Sequence, residues 1–197
     1  MKLNAALLAV LVAVPSFAEE VSTLEAAAPR PYQRPFAFGT YGTGWGGAYG
    51  GAGAGGRVRW EAFRWLGLDL FGEALLVQTP HGVRHDHPIG FNLFVPFRLT
   101  EGLRVRPLLG MCAVLSFIEP TESGAPRSDD VLLGVHAGLG AELALSQWIS
   151  VFAEVQAVAW AGHDRTLQNW TGGVGNEVKS FTVAQGIAGV QVHFGPL

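Results

Sequence analysis

The chain has 197 residues, a formal net charge of −3 and a single cysteine. A nearly neutral chain without a basic run does not suit nucleic acid, and Cys112 has no partner for an internal disulfide. Charged residues make up 15%, against about 25% in soluble domains, while hydrophobic residues reach 49%. Such a composition favours a protein whose apolar surface is spread over strands.

The chain divides into three predicted regions. Residues 1–18 begin with Lys2, continue through an apolar run and end in Ser16-Phe17-Ala18, the pattern of a cleavable signal peptide. The apolar run is too short to cross a bilayer of about 30 Å as a helix. Residues 19–35, with three prolines, are predicted to be a flexible tail, and residues 36–197 a single domain of an exported protein.

Alternation of apolar and polar residues with period two predicts eight strands. We place them near residues 36–45, 56–65, 68–79, 89–99, 103–117, 131–145, 149–161 and 179–194. Short turns at 66–67, 100–102 and 146–148 alternate with longer predicted loops at 46–55, 80–88, 118–130 and 162–178. An up-and-down array of this kind has all its long loops at one end, as bacterial outer-membrane barrels do.

The composition of the two strand faces indicates which one meets water. In residues 131–145 every odd-numbered position is apolar, whereas Gly138 and Gly140 share the other face with His136 and Glu142. Glycine weakens a water-facing strand but suits a crowded lumen. The apolar face is therefore predicted to meet lipid, and residues 36–197 are predicted to form an outer-membrane β-barrel. The predicted fold class is all-β: an eight-stranded antiparallel up-and-down transmembrane β-barrel with a filled polar lumen. The facing of the first strand is left open.

By the same parity, ten charged side chains are predicted to face the lumen, together with Cys112. They are Arg57, Arg59, Arg98, Arg104, Arg106, Glu61, Asp69, Glu73, Glu142 and Glu154. An eight-stranded barrel is just wide enough to be filled by side chains, and buried charges are costly unless they are paired. The balance of signs predicts a closed, ion-paired lumen.

Over residues 36–194 the strand count, the turn alternation and the final strand QGIAGVQVHF resemble the small eight-stranded outer-membrane barrels, the OmpA-like and OmpX-like group. In that family such a last strand serves as the assembly signal, although here residues 195–197 follow Phe194. The resemblance implies the cell outer membrane as location. It also implies the lipid bilayer, lipopolysaccharide and the barrel-assembly machinery as partners, and no cofactor.

Some relatives of this size are enzymes that modify lipid A, and the deacylases among them place His and Ser two residues apart. No His-x-Ser occurs here. His163 and Asp164 open the last predicted loop and Ser116 ends the fifth predicted strand, but no spacing connects them. We therefore expect no catalytic residues and no enzyme.

The stretch HGVRHDHP places His81, His85 and His87 with Asp86 in one predicted loop. Imidazoles bind zinc or copper, but a mobile loop does not hold a coordination geometry, so no metal site is expected. The predicted location of the loop is exposed.

The glycine-rich residues 39–56 lack the strand-then-helix setting of a phosphate-binding loop. Their aromatics Tyr41, Trp45 and Tyr49 are predicted to lie at the rim of the barrel. Trp65 and Trp148, at tight turns, are predicted to be interfacial anchors.

The leading hypothesis is a non-enzymatic integral outer-membrane β-barrel with a role in envelope structure or in interactions through its loops. Three alternatives stay open. They are a lipid A-modifying enzyme, a narrow pore for small apolar solutes and a soluble exported ligand-binding barrel. The identity of a loop partner is not readable from the sequence.

Overall fold

Strands make up most of the chain that the computed structural model describes, which is residues 34–46, 50–79, 82–120, 128–162 and 179–195. The predicted signal peptide and nearly all of the predicted tail lie outside these ranges, so they stay predictions. No helix in the described ranges is long and apolar enough to cross a membrane.

Nine strands run in chain order through the described residues. They are β1 (Phe36–Gly46), β2 (Gly51–Phe63), β3 (Leu66–Thr79), β4 (Gly82–Phe94), β5 (Phe97–Arg98), β6 (Leu103–Pro120), β7 (Ser128–Ala144), β8 (Ile149–Gly162) and β9 (Lys179–Phe194). All pairings are antiparallel, and β1 pairs with β9, which closes the sheet. Because β4 and β5 pair with β6 in one continuous register, they form a single position in the wall. The predicted closed barrel of eight strands is confirmed.

We call the end with residues 64–65, 99–102 and 145–148 the turn end, and the opposite end the loop end. At the loop end two predicted loops are largely wrong, because β2 begins at Gly51 and β4 at Gly82. Gly51, Gly53 and Gly55 continue the inward face of Arg57, so the predicted loop at 46–55 is mostly strand. The predicted loop at 80–88 is strand from residue 82 for the same reason, since its polar residues keep the alternation.

Burial alternates along every long strand and gives the two faces opposite character. In β7, Leu133 and Leu139 are 62% and 56% exposed, whereas Leu132 and Glu142 are each 1% exposed. The exposed large apolar side chains lie on the outside, and arginines and carboxylates are buried within. A soluble barrel has the reverse arrangement, so the predicted lipid-facing exterior agrees with the structure. In β1, Ala37, Tyr41 and Trp45 face inward, which gives that strand its facing.

The seam between β1 and β9 is reinforced at the turn end. Arg34 donates from Nη1 to the carbonyl oxygen of Gly195 at 2.6 Å, and its guanidinium lies 3.5 Å above the Trp148 ring. Phe36 stacks on Phe194 with ring centroids 5.9 Å apart. Trp148 is exposed at the turn, as is Trp65 in the β2–β3 turn, in the positions predicted for interfacial anchors.

The inward glycines of β7 lie against neighbouring side chains. A Cβ added to Gly138 would overlap the Val155 carbonyl oxygen and lie 2.8 Å from Gln156 Cγ, and one added to Gly140 would lie 3.0 Å from Glu154 Cγ. Gly186, on the outer face of β9, would meet nothing within 4 Å. The lumen is therefore closely packed at these two glycines, whereas the outer surface is open at Gly186.

We expect Gly138→Leu and Gly140→Leu each to lower the free energy of unfolding by about 1–3 kcal/mol, because added atoms must displace packed groups. Gly186→Leu is the matched control and should be neutral or slightly stabilising, since it only removes a strand glycine. Urea unfolding of the barrel in lipid vesicles measures all three. Neutral results at both lumen positions would contradict the packing described.

Candidate functional site

The lumen near the turn end is filled by a connected set of charged side chains, which we call the ionic network. Its members are Arg57, Arg59, Glu61, Asp69, Arg104, Arg106, Glu142 and Glu154. They come from β2, β3, β6, β7 and β8, so the network ties together strands on opposite sides of the barrel. Apart from Glu61, each member is at most 3% exposed.

Glu142 is a centre of the network. Its carboxylate accepts hydrogen bonds from Arg59 Nη1 at 2.6 Å, Arg104 Nη2 at 3.0 Å and the Ser150 hydroxyl at 2.9 Å. Arg104 also pairs with Glu61 at 2.6 Å, where the network reaches the turn end. A buried carboxylate with several charge-assisted donors is well compensated for its lost hydration.

Glu154 forms a second centre. Arg57 donates to both of its carboxylate oxygens, at 2.5 and 3.1 Å, and Arg106 donates to Oε1 at 3.0 Å. Aromatic rings cover the guanidinium faces: that of Arg57 lies 4.0 Å from the centroid of Phe152, and that of Arg59 4.7 Å from Phe94. The arginines are thus held both in the plane of the guanidinium and across it.

One prediction about the lumen charges is wrong, and one buried ion pair was not predicted. Arg98 is exposed rather than in the lumen, because it lies in the two-residue β5 at the turn end of the barrel. Sequence reasoning also missed the buried pair of Arg84 with Asp86, since both fell in the predicted loop. The signal was present, because Arg84 and Asp86 keep the parity of Asn92 along β4. Among the described residues, five buried arginines face five buried carboxylates.

Towards the loop end the lumen becomes largely apolar. We call this part the apolar layer, and it comprises Trp45, Leu75, Val77, Cys112, Val114, Leu132, Val158, Trp160 and Val183. Trp45 stacks on Trp160 with centroids 5.8 Å apart. The prediction that Tyr41 and Trp45 lie at the rim is wrong, because both are buried in the lumen, and Tyr49 lies outside the described residues. Cys112 faces the lumen as predicted.

Between the ionic network and the apolar layer lies a cavity of about 10 Å³, lined among others by Tyr41, Glu73, Gln156 and Gln185. Such a volume has room for about one water molecule. Glu73 is held there by neutral donors: the Tyr41 hydroxyl at 3.0 Å and Gln185 Nε2 at 3.0 Å. At this level the described side chains leave space for little more than one water molecule.

The residues considered for lipid A chemistry are not brought together by the described part of the structure. The Ser116 hydroxyl lies in the lumen and donates to Asp86 Oδ1 at 2.6 Å, which places it beside the buried Arg84. His163 and Asp164 lie outside the described residues. Ser116 is therefore part of a lumen hydrogen-bond group within β4 and β6.

The predicted histidine loop is instead a strand. His85 and His87 lie half-buried on the outer face of β4, and Asp86 points the other way into the lumen. The His87 ring packs edge-on against Phe117 at 5.9 Å. His81 lies outside the described residues, and within those residues no group of three or more metal-ligating side chains is close enough to hold an ion.

No protein-family model and no curated protein matches the sequence. Solved structures do match the fold. Neisserial surface protein A superposes with a TM-score of 0.60 at 14% identity, covering 81% of this chain and 97% of that one. The outer-membrane protein OprG from Pseudomonas aeruginosa superposes with a TM-score of 0.57 at 11% identity, covering 85% of this chain and 99% of that one.

The chain has the fold of the small outer-membrane β-barrels. The predicted resemblance is confirmed at the level of fold. Both matched structures are bacterial outer-membrane proteins. With an apolar exterior and a charged lumen, this outer-membrane barrel fold is not that of a soluble ligand-binding barrel, so that alternative is wrong.

We expect Arg106→Ala to lower the free energy of unfolding by about 3–5 kcal/mol, because Glu154 loses one of its two arginines and the buried negative charge is no longer balanced. Arg104→Ala should behave in the same way through Glu142. Arg98→Ala is the matched control, since Arg98 is exposed, and should change stability little. Denaturant unfolding in detergent measures the three variants. A loss near zero for both Arg104 and Arg106 would contradict the ionic network.

Proposed function

We propose that this chain is a non-enzymatic integral protein of the bacterial outer membrane. In this proposal the closed barrel serves as a stable scaffold, and its role lies in envelope structure or in contacts made by the segments that join strands at the loop end. The single observation that carries the proposal is the ionic network, since an ion-paired, filled lumen supports a structural role better than transport.

The exterior supports insertion into a bilayer with lipopolysaccharide in its outer leaflet. Leu109, Leu133 and Val155 are among the large apolar side chains that are more than half exposed around the wall. In water such a continuous apolar surface would be an aggregation hazard, but in lipid it is the solvated surface. The exposed aromatics of the turn end suit the interface between lipid and water.

The last residues of β9, at the turn end, support recognition by the barrel-assembly machinery. Phe194 is the last residue of the strand, faces outward and stacks on Phe36 of β1. In the proposal, the alternating apolar residues before Phe194 carry the assembly signal, and residues 195–197 follow Phe194 in the sequence.

Lipid A modification and passage of small apolar solutes remain the weaker alternatives. Ser116 is engaged with Asp86 in the lumen, which does not suit a nucleophile for a lipid outside the barrel. The apolar layer could favour apolar solutes, but the cavity beneath it has room for only about one water.

Fractionation of a Gram-negative host that expresses the full chain tests the location. We expect the protein in the outer-membrane fraction, resistant to extraction with alkaline carbonate, because its exterior is apolar. Recovery in the soluble periplasm would contradict the proposal. A soluble periplasmic protein and a known outer-membrane porin, followed in the same preparation, are the controls.

Planar bilayer recording tests the closed lumen. We expect the purified barrel to show no steady conductance, since the ionic network and the apolar layer fill most of the lumen formed by the described residues. A general porin in the same bilayer shows that insertion and recording work. A stable open channel in the nanosiemens range would overturn the closed-lumen part of the proposal, while the fractionation result would still report the location.

A further inference from the structure

Three polar side chains from neighbouring strands meet in the lumen beside the cavity. Cys112 Sγ of β6 lies 3.9 Å from His136 Nδ1 of β7, and His136 Nε2 is hydrogen-bonded to Asn92 Oδ1 of β4. The three residues are 7%, 4% and 4% exposed. The proposed structural role of the barrel makes no use of this thiol and imidazole.

Glycines on β6 and β7 make room for the contact. Gly110 of β6 lies between Asn92 and His136 in the register, and a Cβ there would overlap both His136 Nε2 and Asn92 Oδ1. A Cβ on Gly134 would lie 2.8 Å from Cys112 Sγ. Larger residues at these positions would separate the groups, so the local sequence permits the arrangement.

The contact of Asn92 Oδ1 with His136 Nε2 favours the ring tautomer that carries its proton on Nε2. The Asn92 carbonyl oxygen can only accept, so Nε2 of the neutral ring carries the hydrogen and donates it. Nδ1 then presents its lone pair on the side of Cys112 Sγ. A histidine whose second ring nitrogen is fixed by an outer acceptor has the usual arrangement of a metal ligand.

From this geometry we propose that Cys112 and His136 form a two-coordinate site for a soft monovalent cation, Cu(I) or Ag(I). Bonds of about 2.3 Å to sulfur and about 2.0–2.1 Å to nitrogen, the lengths known for zinc, would span the observed separation at a wide angle. Thiolate and imidazole are both ligands that suit Cu(I). On binding, the cation replaces the thiol proton, which leaves to solvent, and no electron is transferred.

Charge and ligand number favour a monovalent ion over Zn²⁺. Cys112 belongs to the apolar layer, where an uncompensated charge is costly. A thiolate, a neutral imidazole and a monovalent cation carry no net charge together, whereas Zn²⁺ would leave one positive charge. Zn²⁺ also prefers four ligands, and among the described residues no group of three or more candidate ligands is present. Glu73 lines the same cavity but is held by Tyr41 and Gln185.

The test measures Cu(I) affinity of the folded full chain in detergent, by competition with a coloured Cu(I) chelator under reducing, oxygen-free conditions. We expect one Cu(I) per barrel. Cys112→Ser should abolish this binding, and His136→Phe should weaken it at least tenfold. Asn92→Ala should weaken it by about 10–100-fold, the usual effect of losing an outer partner of a metal-bound histidine.

His85→Ala combined with His87→Ala is the matched control, because these imidazoles lie on the outer face of β4. The control should bind Cu(I) as tightly as the unchanged chain. Equal binding by Cys112→Ser, loss of binding in the outer-face control, or no binding by the folded chain would each overturn the site. An affinity for Zn²⁺ as high as that for Cu(I) would overturn its selectivity.

A variant that does not fold is replaced by a measurement on the unchanged protein. X-ray absorption at the copper edge should then show one sulfur and one nitrogen neighbour. Two or more sulfur neighbours, or oxygen and nitrogen neighbours alone, would contradict the pairing of Cys112 with His136.

Discussion

Pairing of buried arginines with buried carboxylates is the interaction on which the rest of this barrel depends. A lipid-facing exterior leaves the interior as the main place for polar side chains. A charge without a partner there would destabilise the fold, because its desolvation is not compensated. Glu142 and Glu154 meet this requirement by each accepting from two arginines. Since the donors come from different strands, the pairing also fixes the strands relative to one another and fills the space that a channel would need.

The lumen changes character along its length. The ionic network lies near the turn end, whereas the apolar layer with Trp45 and Trp160 lies nearer the loop end. The two parts meet at Glu73 and the Cys112–His136–Asn92 group, where neutral hydrogen bonds replace ion pairs. The contacts of Glu73 and of the Cys112–His136–Asn92 group therefore mark the boundary between the two parts of the lumen.

The parity of residues along each strand predicted most of the fold, because one face of each strand meets lipid and the other does not. The inward facing of Arg57, Arg104, Arg106 and Glu142 follows from parity alone. The failures have two physical causes. Segments rich in glycine or histidine have the composition of loops. The strand positions of Gly53 and Asp86 were therefore missed, although their parity was regular. Contacts such as that of Cys112 with His136 depend on register between strands, which a single sequence does not specify.

The seam between β1 and β9 has a consequence for the order of assembly. Arg34 and Gly195, which meet there, are 161 positions apart in the chain. Closing a loop of that length has an entropic cost. The cost is low only when the intervening strands already hold the two edges side by side. We therefore expect ring closure to be the last pairing to form, and until it forms, β1 and β9 are open edges able to pair with another chain.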